Sequence, residues 1–286
     1  MTGPSSPKTL TAVWDVRRAP LTPGRALLLL QEIALARSGG AYRGARIVWT
    51  GQPPAPEVLS YAACVDEVRC ALPGTATAPD EVTLESLRGA VPGADSESTL
   101  FIQRLCGDRP SPVLVPRAEY AHRAADRLRR LRRRSGRKRV LTLHLKSDPG
   151  AAEGNADGAE WAAFLERARE SGGAALLAVG NELPVEVRSL RDLEWTRGAS
   201  LVEDLALIAG SDAFMGMASS LCQAALFGDK PYAVFKAPGH HAAKMSAELK
   251  GPYGFTFARP TQRFLMEPDA REALWREWTR IQEVWG

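Results

Sequence analysis

The sequence has few cysteines and no long apolar stretch, and its first residues are polar. Its four cysteines include no Cys-x-x-Cys pair, which argues against a zinc site or a disulfide framework and favours a reducing cytoplasm. The longest apolar stretches, such as 26–30 and 172–180, are far shorter than the ~20 residues that a membrane span needs. The polar start of the chain argues against secretion. We therefore expect a soluble, cytoplasmic protein.

Length and composition are those of an ordinary globular protein. At ~150 residues per domain, 286 residues suggest about two domains. Hydrophobic residues make up 45% of the chain and charged residues 24%, which excludes wholesale disorder, collagen and a long coiled coil. The chain is long enough to bury a large core, so we expect it to fold without staples.

The net charge of +4 hides one strongly basic segment. Residues 123–139 hold ten basic residues and a single acid, Asp126. No aromatic residue interleaves them, which argues against a nucleic-acid partner. Two interpretations remain open: the solvated outer face and end of a helix between two domains, which we favour, or a weak contact with an anionic membrane at the inner face of the cell, at ~1 kcal/mol per basic residue.

The first part of the chain predicts a strand, a helix and a second strand. Residues 10–15 are β-prone. Thr22 and Pro23 offer an N-cap and a first-turn proline for a helix that Gly39-Gly40 ends. A second strand at 45–50 completes the pattern of a parallel crossover. Residues 52–112 are rich in Pro and Gly, and their elements cannot be ordered, although 59–72 is compatible with a helix.

The rest of the chain alternates regularly between helix and strand. Predicted helices cover an arginine-rich segment from Pro116, then 161–168, 200–209 and 219–227, and predicted strands cover 139–146, 174–179, 213–217 and 232–235. This alternation predicts a doubly wound parallel sheet. We expect two Rossmann-like α/β domains, 1–136 and 137–267, a ligand cleft between their carboxyl edges, and a helix in 268–286 that packs back across the hinge.

The most informative segment is 201–235, with a strand that ends at Met217 and the turn Ala218-Ser219-Ser220. Small side chains, two hydroxyls and free N–H groups at a helix start favour a bound diphosphate. The alternative is that Ser219 only caps the following helix.

This segment resembles the C-terminal nucleotide-sugar domain of GT-B glycosyltransferases, in particular the heptosyltransferase-like group. The shared features are a Leu-x-Glu helix, a short strand, a small-residue turn and a Lys-Pro before the next strand; Gln223 stands where a His is common. The resemblance is convincing over 138–246 and covers the first domain in outline. It implies a nucleoside diphosphate sugar as co-substrate, inverting transfer, and no metal or other cofactor, which agrees with the absence of a DxD motif.

Residues at the ends of the predicted strands are the candidates for donor binding. Lys146 would neutralise phosphate charge, and His144 precedes it on the same strand end. Each candidate has a structural alternative: His144 as a core residue, and Glu203 as the second half of a capping box with Ser200. The predicted donor-binding residues are His144, Lys146, Asn155, Glu203, Ser219, Ser220, Lys236 and His240.

Asp15 ends the first strand, where the family resemblance implies the general base that deprotonates the acceptor hydroxyl. Arg17 and Arg18 would contact the acceptor, which is a small molecule, a glycan or a lipid-linked sugar. The alternative is an ion pair of Asp15 with Arg17 or Arg18. At the level of the whole protein, the alternatives to a glycosyltransferase are a nucleotide-sugar 2-epimerase and a non-catalytic binding protein that uses its basic helix.

Overall fold

The computed structural model describes residues 8–17, 20–51, 56–71, 81–89, 99–150 and 152–286. The chain forms two compact units, Met1–Arg117 and Ala118–Gly286. Within the described residues, no helix is long and apolar enough to cross a lipid bilayer.

Unit 1 is built on a parallel sheet of four strands in the order β3-β2-β1-β4. The strands are β1 (Lys8–Asp15), β2 (Tyr42–Thr50), β3 (Glu67–Cys70) and β4 (Glu81–Thr83). The helices are α1 (Pro23–Ser38), α2 (Leu84–Gly89) and α3 (Leu100–Cys106), together with a 3-10 helix, Pro56–Ser60. Strands β1 and β2 pair in parallel on either side of α1 in the chain, which confirms the predicted crossover.

Helix α1 begins and ends where the sequence predicts. The Thr22 hydroxyl accepts a hydrogen bond from the Arg25 N–H, and Pro23 occupies the first turn. Its buried residues run without interruption from Ala26 to Ile33, so the middle of the helix is covered on all sides. Residues 59–72, which the sequence left open and compatible with a helix, contain β3, which pairs with β2.

Unit 2 contains a parallel sheet of six strands in the order β10-β9-β8-β5-β6-β7. The strands are β5 (Val140–His144), β6 (Ala175–Ala178), β7 (Leu193–Trp195), β8 (Ala213–Met217), β9 (Tyr232–Phe235) and β10 (Gln262–Leu265). Counted from the first strand of the unit, this is the 3-2-1-4-5-6 order of Rossmann folds. Strand β5 pairs with β6 on one side and β8 on the other, so the direction of winding reverses between β5 and β8.

The helices of unit 2 pack on this sheet. They are α4 (Ala118–Ser135), α5 (Gly158–Ser171), α6 (Val185–Arg188), α7 (Leu201–Gly210), α8 (Gln223–Leu226), α9 (Ala242–Glu248) and α10 (Arg271–Trp285), with a 3-10 helix at Ala152–Gly154. Ser200 and Glu203 form the predicted capping box of α7. The predicted C-terminal helix is α10, and its apolar residues Leu274, Trp278 and Ile281 lie in the core of unit 2.

The units divide after Arg117, whereas the sequence placed the boundary near residue 136. Helix α4 belongs to unit 2 because Ala124, Leu128 and Leu131 are buried and the helix packs against α7. The two helices approach closely: a Cβ added at Gly210 would lie 3.2 Å from Leu128 Cδ1. Three apolar positions thus decide the partner of a helix whose sequence is dominated by arginine.

Candidate functional site

The candidate site lies where the winding of unit 2 reverses. Parallel strands bring their carboxyl ends to one edge of the sheet, and ligands of such sheets bind outside the strands that flank the reversal. Here these strands are β5, which ends at His144, and β8, which ends at Met217. The loops after β5, β8 and β9 carry most of the predicted donor-binding residues.

A hydrogen bond joins the ends of the two central strands. Ser219 Oγ lies 3.0 Å from His144 Nδ1, and it also accepts the Cys222 N–H at 3.3 Å. Burial, reinforced by the positive charge of Lys146, lowers the pKa of His144 to about 4, so its ring is neutral at pH 7. His144 is therefore buried, as its structural alternative held, and yet it contacts the turn that follows β8.

The turn after β8 is longer than the sequence suggested. The helix predicted to begin at Ser219 begins at Gln223, because residues 219–222 form a turn closed by the Cys222 N–H and the Ser219 hydroxyl. Ser219 thus stabilises the turn, and Ser220 lies half-buried within it.

Lys146 and His240 meet at a glycine. A Cβ added at the buried residue Gly154 would lie 3.3 Å from Lys146 Nζ and 2.9 Å from His240 Cε1. The loop that holds Gly154 is fixed by Asn155, whose side-chain oxygen accepts the Asp148 N–H at 2.9 Å and whose amide donates to the Asp148 carbonyl at 2.8 Å. Asn155 therefore shapes this loop through both groups of its side chain.

Among the residues that the structure describes, ion pairs do not neutralise the positive charge of this edge. Lys236 follows β9 and is buried, which lowers its pKa, and the charge of Lys146 lowers that pKa further. In the part of the chain that the structure describes, neither lysine lies within ion-pair distance of a carboxylate. Burial and Lys236 also lower the pKa of His240, while Glu153 acts in the opposite direction. Such a concentration of uncompensated positive charge favours an anionic ligand.

The loops after β6 and β7 are held together by Asp204, which sequence reasoning missed. This buried carboxylate accepts hydrogen bonds from the Gly180 N–H at 2.9 Å and the Thr196 hydroxyl at 2.6 Å. Burial raises its pKa. The neighbouring Glu203 accepts the Ser200 N–H at 3.0 Å, so the capping-box interpretation of Glu203 is realised. No pattern in the sequence distinguishes Asp204 from an ordinary acid in the first turn of a helix.

Gly180 contacts both Trp195 and the end of β5. The Trp195 indole donates to the Gly180 carbonyl at 2.8 Å, and the guanidinium groups of Arg188 and Arg197 lie 5.8 and 5.5 Å from its ring centroid. Gly180 has a φ of +91°, and a Cβ there would approach His144 Cδ2 to 2.9 Å. A glycine is thus required where this loop crosses the strand end.

Asp15 and Arg17 form an ion pair at the end of β1 in unit 1. The guanidinium donates to both carboxylate oxygens, at 3.0 and 2.8 Å, and the Arg17 N–H adds a third bond at 3.0 Å. This pairing holds the pKa of Asp15 far below its usual range. The ion-pair interpretation is therefore realised with Arg17, and Arg18 lies outside the described residues.

Among the described residues, no three His, Cys, Asp or Glu side chains are grouped so that they could hold a metal ion. The prediction of a metal-independent reaction stays a prediction.

No family model and no curated protein matches this sequence. Solved structures, however, match nearly the whole chain. A glycosyl transferase family 9 protein from Veillonella parvula is 9% identical, with a TM-score of 0.62 and 97% of each chain covered. The E. coli ADP-heptose LPS heptosyltransferase II is 13% identical, with a TM-score of 0.58 over 98% of this chain and 100% of that chain. The E. coli heptosyltransferase WaaC with ADP-2-deoxy-2-fluoro heptose is 12% identical, with a TM-score of 0.55 over 97% and 100%.

The chain has the GT-B fold. The resemblance drawn from residues 201–235 and the prediction of a mixed α/β protein with parallel sheets are thereby confirmed. At 9–13% identity the match establishes the fold, and the activity has to be argued from the residues of this GT-B chain.

Proposed function

We propose that this GT-B protein is a glycosyltransferase that moves a sugar from a nucleoside diphosphate sugar to an acceptor hydroxyl. The observation that carries the proposal is the pair of lysines Lys146 and Lys236, which have no ion-pair partner among the described residues, at the edge where the sheet reverses its winding. The structural neighbours add support, because one E. coli heptosyltransferase was solved both with ADP and with an ADP-heptose analogue.

The diphosphate binds the cationic loops in this proposal. Lys146 and Lys236 neutralise its charge, and this charge increases on the leaving nucleotide as the bond to the sugar breaks. Ser219 and Ser220 supply hydroxyl groups, and His240 supplies an imidazole N–H. Two ammonium groups in a partly buried edge provide the electrostatic stabilisation that a metal ion provides elsewhere, so we propose a metal-independent reaction.

The nucleoside part of the donor lies against the loops after β6 and β7. The Trp195 side chain is held in place there, because its indole N–H donates to the Gly180 carbonyl. One oxygen of the Glu203 carboxylate accepts a backbone N–H in the capping box. We propose that the other oxygen accepts a hydrogen bond from a ribose hydroxyl of the donor.

We assign the general base to Asp15. A carboxylate with so low a pKa is a weak proton acceptor, so Arg17 has to leave Asp15 before the acceptor hydroxyl can be deprotonated. An acceptor with an anionic group would draw Arg17 away and raise the pKa of Asp15. Direct attack on the anomeric carbon would then invert its configuration.

Nucleoside diphosphate binding tests the donor site. We expect ADP, UDP or GDP to raise the melting temperature of the wild-type chain, since a ligand that binds only the folded state stabilises it. Lys146→Ala should weaken binding by about 10- to 100-fold, because a charge-assisted contact contributes ~1.5–3 kcal/mol. The matched control is Lys250→Ala, which removes an exposed lysine of the same unit. Absence of binding by every nucleoside diphosphate would overturn the proposal.

The role of Asp15 is tested by separating binding from transfer. Asp15→Asn should abolish sugar transfer and leave the nucleotide affinity within a few fold, since a positioned base contributes ~10²–10⁴ to the rate. Full transfer by the variant would remove Asp15 from the mechanism. Isomerisation of the donor sugar in the absence of any acceptor would show that the protein is an epimerase and not a transferase.

A further inference from the structure

The structure separates the basic segment 123–139 into two halves. Five of its ten basic residues form ion pairs that attach α4 to the rest of unit 2 or pair along the helix. Arg127 and Arg134 bind Glu194, Arg132 and Arg139 bind Asp212, and Arg129 binds Asp126. The stability of unit 2 accounts for these residues.

The other five basic residues form what we call the basic face: Arg123, Arg130, Arg133, Arg137 and Lys138. All five are exposed, and none lies in an ion pair with the residues that the structure describes. Together they carry five positive charges, which is more than the net charge of the whole chain, +4. Protein folding does not require this excess of positive charge at one place.

The five charges are presented together. At 100° per residue, the three arginines within α4 lie within ~80° of the helix circumference. Arg137 and Lys138 follow directly after the helix, where Gly136 adopts a φ of +68°. Asp126 shares this arc, and its charge is matched by Arg129 at 3.0 Å. Exposed Glu119 lies on the same arc, so the basic face is a surface of net positive charge that also contains two acids.

The basic face is separate from the candidate donor site. Helix α4 leads into the amino end of β5, whereas His144 and Lys146 lie at and beyond the carboxyl end of that strand. The part of the basic face that ends α4 and follows it, Arg133, Arg137 and Lys138, thus lies towards the amino edge of the sheet, away from the donor site. An adjoining groove of about 450 Å³ is lined by Arg137 of the basic face and by two ion-paired sets, Arg134 with Glu194 and Arg169 with Asp192, so the groove adds no further charge to the face.

We propose that the basic face docks this protein on a lipid bilayer that contains anionic phospholipids. A cluster of ~4–8 Lys and Arg is enough for such a contact, and its attraction falls off within a Debye length. The face carries no exposed aliphatic or aromatic side chain, so the contact is electrostatic and lacks the insertion of apolar groups that amphipathic anchors use. The same lack of aromatic residues disfavours single-stranded nucleic acid, which binds by stacking.

The test is vesicle flotation with the full-length wild-type chain. Vesicles contain phosphatidylcholine alone or with about 30% phosphatidylglycerol, at about 50 and about 300 mM salt. We expect binding to the anionic vesicles at low salt, loss of that binding at high salt, and no binding to the neutral vesicles. Failure to bind anionic vesicles at low salt would overturn the proposal.

Two charge-matched variants show whether this surface is responsible. The first replaces the basic face by glutamine: Arg123→Gln, Arg130→Gln, Arg133→Gln, Arg137→Gln and Lys138→Gln. The control replaces five exposed basic residues elsewhere that form no ion pair among the described residues: Arg43→Gln, Arg104→Gln, Arg109→Gln, Arg191→Gln and Lys250→Gln. We expect the first variant to lose about 100-fold or more in vesicle affinity and the control to keep it within a few fold.

Equal loss in both variants would show that net charge, and not the basic face, drives binding, and would overturn the proposal. Tighter binding to a polyuridine RNA than to anionic vesicles at the same salt would assign the face to nucleic acid instead. Both variants should keep the melting temperature and the nucleotide affinity of the wild type, so this result does not depend on the proposed transferase activity.

Discussion

At the scale of single residues, the buried imidazole of His144 links stability to pH. Its pKa in the folded protein is about 4, below its ordinary value of 6.5, because burial disfavours the charged ring. The unfolded chain therefore binds more protons between these two values, and the folded state loses stability as the pH falls through them. We expect His144 to account for a decrease of about 2 kcal/mol in unfolding free energy between about pH 7 and pH 5.

Urea unfolding of His144→Asn measures this contribution, because the variant cannot titrate in this range. The difference in stability between the two pH values should be smaller in the variant by the amount given above. His122→Asn is the control, since His122 lies exposed on α4. A pH dependence in His144→Asn that equals that of the wild type would contradict the assignment.

Gly154 makes a second prediction at this scale. A side chain at this residue would meet both Lys146 and His240, so Gly154→Ala should displace the two groups that we assign to the diphosphate. We expect nucleoside diphosphate affinity to fall about tenfold, ~1.4 kcal/mol, in calorimetric titrations. Gly239→Ala provides the control, since a Cβ there meets nothing within 4 Å. Unchanged affinity in Gly154→Ala would separate these residues from the ligand.

The sequence predicted residues of the candidate site only where they lie at the end of a predicted strand. Lys146 and Lys236 directly follow apolar runs, and parallel strands bring such positions to one edge. Gly154 and Asp204 lie in a loop and in a first helical turn, where glycine and acids are common for other reasons. Their importance comes from contacts with residues far along the chain, which no local pattern records.

At the scale of secondary structure, Asp212 connects α4, β5 and β8. Its carboxylate accepts bonds from the Arg132 guanidinium at 2.7 Å and the Val140 N–H at 2.8 Å, just before β8 begins. Asp212→Ala leaves the Val140 N–H without its partner, so we expect a loss of ~1–3 kcal/mol in unfolding free energy. Asp229→Ala, which removes an exposed ion pair with Lys230, should cost less than ~1 kcal/mol. Equal losses in the two variants, measured by urea unfolding, would refute this role of Asp212.

Elements with caps, helical spacing or an apolar run between turns were predicted, and short elements without such signals were not. Helices α1, α5 and α7 carry caps and helical spacing, and strands β8 and β9 are apolar runs between turns. Elements of three or four residues, such as β7 and α6, are too short to show a period. They form through contacts with neighbouring elements: β7 pairs with β6, and α6 packs against α5.

At the scale of the whole molecule, the boundary after Arg117 is testable with two fragments. Residues 118–286 contain α4 and every residue assigned to the donor, so this fragment should unfold cooperatively and bind nucleoside diphosphates within a few fold of the full chain. Residues 137–286 lack α4 and expose the face of α7 that it covers. We expect this shorter fragment to aggregate, as measured by light scattering. Equal solubility of both fragments would place the boundary where the sequence alone had placed it.

The central position of β5 has a consequence for biosynthesis. Its partner β6 begins at residue 175, but its other neighbour, β8, begins only at residue 213. During synthesis, one edge of β5 therefore stays unpaired until about 70 further residues have left the ribosome. All five residues of β5 are buried in the finished sheet. The speed of translation across this interval determines how long the unpaired edge of β5 can pair with other chains. We expect the nascent chain to need chaperones most before β8 emerges.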